Sequence, residues 1–97
     1  MRVVRLRIRG AVQGVGFRAF VEDEAAARHL CGWVRNRRDG SVEAVLAGVA
    51  HEVAAMIEKC RHGPRAGRVD RVEIEESDET VLAARNAGED FSVLPTL

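Results

Sequence analysis

Residues 10–18 read Gly10-Ala11-Val12-Gln13-Gly14-Val15-Gly16-Phe17-Arg18, a glycine-punctuated run that ends in an arginine. Glycine reaches positive φ at no steric cost and lets another group approach the backbone with no Cβ in the way. A turn of this kind feeding a helix N-terminus gathers unpaired N–H groups into one space, a setting suited to an anion such as phosphate. Arg18 adds a permanent cation whose planar donor fork grips phosphate oxygens in pairs. The run therefore predicts a phosphate cradle built from the N–H groups of Gln13, Gly14, Val15, Gly16, Phe17 and Arg18.

What the run lacks narrows the chemistry. No Lys-Ser or Lys-Thr follows the glycines, so this is not the nucleotide-binding loop that holds magnesium. A cysteine phosphatase keeps its thiol six residues before the arginine, and Val12 stands there. Neither Asp nor Glu occurs between Arg9 and Val21, and His29, His51 and His62 do not cluster. A covalent phosphoenzyme and a metal-assisted route both lack their parts, so neither a metal nor a cofactor is expected. Direct attack of water on a bound phosphoryl group remains, a reaction that needs positioning and charge stabilisation above all. With no general acid in the motifs, the leaving group should depart unprotonated. A carboxylate, with a conjugate-acid pKa near ~4, does this readily and an alkoxide does not.

Position along the chain supplies the elements. Residues 2–9 alternate, with Val4, Leu6 and Ile8 on one face and Arg5, Arg7 and Arg9 on the other, which predicts a strand with one buried and one wet face. Phe17 to about His29 has helical spacing. Cys31–Asn36 and Ser41–Ala47 read as strands joined through Arg37-Arg38-Asp39-Gly40, where Asp-Gly is a strong hairpin signal. Val49, Val53, Met56, Ile57 and Cys60 lie on one side of a second helix, which Gly63-Pro64 stops. Val69–Glu75 alternates again, the acidic residues 76–90 read as a loop, and Phe91–Leu94 as a short last strand. This βαββαβ order, plus that final strand, predicts an α+β split βαβ sandwich with two helices on one face of an antiparallel sheet.

The motifs together resemble one family. Gly10-x-Val12-Gln13-Gly14-Val15-Gly16-Phe17-Arg18, then Gly32-Trp33-Val34-x-Asn36 and Asp39-Gly40-x-Val42-Glu43, is similar to acylphosphatase, and length and element order agree over essentially the whole chain. The resemblance implies a ferredoxin-like fold and hydrolysis of acyl phosphates to carboxylate and inorganic phosphate. It implies that Arg18 binds the phosphoryl group and that Asn36 orients the attacking water. Gln13 is expected to fix the turn by side-chain hydrogen bonds, and inorganic phosphate to bind as product and competitive inhibitor. Taken singly, the glycines also suit a plain strand-to-helix turn, Arg18 a helix-surface cation, and Asn36 ordinary hairpin chemistry. Ala11 stands where the family often has a basic residue, and Ser77–Asp90 is longer than its usual loop. The same motif occurs in hydrogenase-maturation carbamoyltransferases, so a non-catalytic phosphate- or carbamoyl-phosphate-binding module is the alternative. No zinc-finger cysteines accompany the motif here, which favours the enzyme.

Composition bounds the rest. The 97 residues suit one domain spanning 1–97, and 46% hydrophobic with 31% charged residues is ordinary for a soluble globular protein. Net charge is zero, so no nucleic-acid or membrane partner is expected, and the chain should act as a monomer. Residues 1–48 carry nine arginines against five acids, +4, and residues 49–97 six bases against ten acids, −4. Arg5, Arg7 and Arg9 are expected on a solvated face. Four aromatics without a tyrosine, and none in the third strand, argue against a base-stacking RNA platform. Phe17, Phe20 and Trp33 are expected in the core. Cys31 and Cys60 are expected as buried thiols, and with no secretory start the chain reads as cytoplasmic.

Overall fold

A computed structural model describes residues 1–97. The elements are β1 (Arg2–Ala11), α1 (Phe17–Ala27), β2 (Cys31–Asn36), β3 (Val42–Gly48), α2 (Ala50–His62), β4 (Arg68–Glu76), a 3-10 helix (Glu79–Ala84) and β5 (Phe91–Val93). The sheet runs β4-β1-β3-β2-β5, with both helices packed on one face in the expected ferredoxin-like α+β arrangement. The first four strands pair antiparallel, but β5 lies parallel to β2, so the sheet is mixed at that edge. After β4 the chain crosses the face away from the helices and enters the far edge in the direction of β2. The pairing continues past β5: the Leu94 N–H donates to the Val34 carbonyl at 2.9 Å and the Leu97 N–H to the Asn36 carbonyl at 3.2 Å.

Alternation in β1 sets the register. Val4, Leu6 and Ile8 are fully buried beside Val34, Val42, Ala44 and Leu46, and the helices close this layer with Phe17, Val21, Ala25, Val53, Met56 and Cys60. A slip of one residue would turn Arg5 and Arg7 into this layer in place of Val4 and Leu6. Burial of each large aliphatic side chain is worth about 1.5–3 kcal/mol, so the register is strongly held. The ring of Phe17 meets that of Phe20 edge-on at 5.7 Å, with Phe17 buried and Phe20 half-buried. α1 stops at Ala27, short of the expected His29, because His29 adopts positive φ (55°) and the Leu30 N–H closes back on the Ala25 carbonyl at 2.9 Å.

The opposite face is not uniformly wet. Val3, Trp33, Val45, Ala47 and Leu94 form a second buried cluster, covered by Val81 and Leu82 of the 3-10 helix. The Trp33 indole N–H donates to the Val81 carbonyl at 2.8 Å. Residues 76–90, expected as a loop, thus contain a short helix that caps the tryptophan. Asp78 starts that helix by accepting a 2.9 Å bond from the Thr80 N–H. The rest of this face is an ion-pair ladder: Glu43, almost fully buried, lies 3.3 Å from Arg37, 3.6 Å from Arg5 and 3.9 Å from Arg7. Arg9 reaches Glu73 at 3.1 Å and Asp39 at 3.3 Å. Arg5, Arg7 and Arg9 are half-buried partners in this ladder and not freely solvated. Cys60 is buried on the helix face, its thiol pushed up to about 12 by burial. Cys31, expected to be buried, is half-buried against the opposite cluster, because its strand position opposite Ala47 turns it away from the helices.

Candidate active site

The turn between β1 and α1 splits into two functions. Gly10 (φ 137°) lies at the irregularity where β1 shifts register against β4, and a Cβ there would run into the Arg68 carbonyl. Gly10 therefore serves strand packing. Gly14 (φ 75°) and Gly16 (φ 82°) are left-handed, and a Cβ on either would project into open space. Their backbone faces a cleft, and Gly16 is the N-cap of α1 without any side-chain cap. The N–H groups of Gln13 through Arg18 form no hydrogen bond within the protein; the first one into the helix joins Phe20 to the Gly16 carbonyl at 3.0 Å. Of these six consecutive donors, at the positive end of a helix dipole, those of Gly14, Gly16, Phe17 and Arg18 belong to residues that line one cleft.

Arg18 and Asn36 open onto the same cleft of about 480 Å³, together with Gly14, Gly16, Glu22 and Val93. Asn36 arrives there by register. It pairs with Val42, a residue of the helix-side core, so its side chain points toward the helix layer at the end of β2. Most of the arginines in the basic half of the chain are tied up in ion pairs, whereas the Arg18 guanidinium has no carboxylate within 4.0 Å. The cleft therefore combines free backbone donors, a free cation and a carboxamide.

Gln13 sets the distance between these parts. Its Nε2 donates to the Arg37 carbonyl at 2.7 Å and to the Ser41 carbonyl at 2.8 Å, tying the glycine loop to the hairpin that carries Asn36. The side-chain role expected of Gln13 is what its geometry displays. The hairpin is a five-residue connection closed by the Arg37 N–H on the Ser41 carbonyl at 2.8 Å, with Gly40 at φ 92°. Asp39 stiffens it by accepting from the Ser41 N–H at 2.9 Å and hydroxyl at 2.6 Å. These bonds, with Arg9 and Arg7 beside them, draw the Asp39 carboxyl down to about 2.

One cleft residue escaped the sequence reading. No acid occurs between Arg9 and Val21, yet Glu22, the next residue, lines the cleft and places a carboxylate beside the cradle. Its spacing of four from Arg18 on a helix, which puts both on one face, was the available signal. His29, His51 and His62 are exposed and lie outside the cleft.

The fold and cleft define a ferredoxin-like α+β domain with a glycine-rich loop, a free arginine and an asparagine lining one cleft. The profile of the Acylphosphatase family matches residues 4–92. The chain belongs to the acylphosphatase family, and with it to the hydrolases acting on acid anhydrides. An acylphosphatase of Bradyrhizobium diazoefficiens is 57% identical over 95 residues, covering 98% of this chain and 96% of the relative. The crystal structure of an acylphosphatase from Bacillus subtilis superposes with a TM-score of 0.83 at 36% identity, covering 97% of this chain and 99% of that one. A full-length HypF solved in a phosphate- and nucleotide-bound form matches with a TM-score of 0.81 at 25% identity, over 98% of this chain and 12% of that one. No helix is long and apolar enough to cross a membrane.

Proposed function

We propose that the cleft hydrolyses acyl phosphates by direct attack of an Asn36-positioned water on phosphorus, held by the Gln13–Arg18 loop and the Arg18 guanidinium. The nonbridging phosphoryl oxygens accept from the loop N–H groups, and Arg18 balances their charge. Donors preorganised in this way contribute roughly 3 kcal/mol each when they meet charge that grows in the transition state. The Asn36 carboxamide accepts from the water and cannot itself take a proton at neutral pH. The water oxygen bonds to phosphorus as the bond from phosphorus to the acyl oxygen breaks. The electron pair leaves with the carboxylate, and the water's protons pass to the phosphate. The leaving group needs no acid because a carboxylate is stable unprotonated. Inorganic phosphate, which matches the same donors, acts as product and competitive inhibitor.

The observation that carries this reading is the set of unpaired N–H groups of Gly14, Gly16, Phe17 and Arg18 in one cleft with an unpaired Arg18 guanidinium and with Asn36. Relatives named acylphosphatase that match over 96% of their own length favour turnover over the non-catalytic binding module. The test is carboxylate release from a simple acyl phosphate by purified protein in the presence of a strong chelator. Sustained turnover is expected. Activity lost to chelator and restored by magnesium or zinc would overturn the mechanism.

A further inference from the structure

Glu22 is an exposed carboxylate inside a cleft otherwise organised to receive an anion. It lies four residues beyond Arg18 on α1, about 6 Å further along the helix axis, past the end that receives phosphate. Nothing in the protein neutralises it. Arg18 does not close on it, whereas its neighbour Glu24 is paired with Arg28 at 3.1 Å. Glu22 also lines the adjoining cleft of about 370 Å³, beside Asp90 and Phe91. The two clefts share Glu22 and together form a groove along α1 and β5 that begins at the cradle and continues past Glu22 to Asp90 and His29.

Resting on the acyl phosphate reading above, we infer that Glu22 is a specificity-determining residue. It favours acyl phosphates whose acyl part is neutral or carries a cationic amine, and it discriminates against those bearing a second anionic group. A carboxylate several ångströms from a unit charge, in a site between water and protein in polarity, changes affinity by about three- to tenfold. The free Arg18 does not cancel this, because its fork is engaged by the phosphoryl oxygens common to all such substrates.

The test compares kcat/KM for three substrates of similar size: benzoyl phosphate, 4-(aminomethyl)benzoyl phosphate and 4-carboxybenzoyl phosphate. The wild-type protein should rank cationic above neutral above anionic, with about three- to tenfold at each step and so about ten- to a hundredfold between the ends. The spread should shrink as salt is raised, since the Debye length falls from roughly 10 Å to 3 Å between 0.1 and 1 M. Glu22→Gln, an exposed substitution of nearly equal helix propensity, should collapse the ranking toward equality. Equal kcat/KM for all three in the wild type would overturn the proposal while leaving the hydrolase reading standing. So would a ranking unchanged in Glu22→Gln. A uniform loss for all three substrates with their ratios kept would also overturn it, giving Glu22 a part in the chemistry instead. Turnover of none of the three by the wild type would overturn the hydrolase reading and this proposal with it.

Discussion

Gln13 donates from its Nε2 to the Arg37 carbonyl at 2.7 Å, joining the glycine loop to the residue that directly follows Asn36. The same nitrogen reaches the Ser41 carbonyl, so one carboxamide spans both ends of the hairpin. The glycine loop, residues 13–18, and Asn36 come from segments 18 to 23 residues apart in sequence. This bridge is the direct side-chain hydrogen-bond link between them.

Gln13→Ala should therefore lower stability and turnover together. Both carbonyls keep a backbone partner, Gly40 for Arg37 and Arg37 for Ser41, so the loss is two hydrogen bonds with no orphaned acceptor. That amounts to about 1–2 kcal/mol, or a fall in Tm of roughly 5–10 °C for a domain of this size. Phosphate affinity should fall less than kcat, because the loop's own donors remain. Thermal melts and steady-state kinetics on one preparation check both, and an unchanged kcat would remove Gln13 from the positioning of Asn36.

Arg18→Lys should weaken inorganic phosphate binding by about tenfold or more, since a point ammonium cannot reproduce two parallel bonds from a fork. Competitive inhibition constants for phosphate measure this. Wild-type inhibition in the variant would mean that the anion binds elsewhere.

Asp39 predicts an acid limb of stability. Its carboxyl is drawn down to about 2, first by the Ser41 hydroxyl bond and then by the Ser41 N–H. An unfolded Asp titrates near ~3.9. The folded-state value is the lower one, so the stabilisation is complete above about pH 4 and is lost as pH falls toward 2. Asp39→Asn keeps an acceptor but removes the titration, and stability should then vary less with pH across that window. Denaturant midpoints at pH 4, 3 and 2 make the comparison. Identical slopes in the two proteins would contradict it.

The sequence was most legible where periodicity and packing agreed. Val4, Leu6 and Ile8 declared a half-buried strand, and Val53, Met56, Ile57 and Cys60 a helix face, because each pattern was paid out in buried area. The Gly14–Gly16 turn and Asn36 were legible as types at a spacing, but their meeting in one cleft depends on the β2–β3 register, which a linear pattern does not encode. The 3-10 helix was missed because Val81 and Leu82 are the only large apolar residues in an acidic stretch, and their burial exists only once Trp33 stands beneath them. The last strand was legible, but its parallel pairing with β2 was not, because three residues carry no sign of which neighbour they will pair with. Gly10 resembled its loop companions in sequence and differs from them in what surrounds it. Glu22 lies just past the acid-free stretch 10–21, although helical spacing links it to Arg18.

The central claim is that binding and chemistry are divided, with the loop and Arg18 holding phosphate while Asn36 positions water. Asn36→Ala tests it most directly. The backbone bond from the Leu97 N–H to the carbonyl of residue 36 survives the change, so the strand end and the fold should persist, as circular dichroism would verify. The measurement is kcat for an acyl phosphate set against the dissociation constant for inorganic phosphate. The account predicts a fall in kcat of about 10²-fold or more, comparable with the loss of one preorganised polar contact to the transition state, with phosphate affinity within about twofold of wild type because the ground-state contacts remain. Wild-type kcat, or a loss of phosphate affinity equal to the loss of turnover, would contradict it.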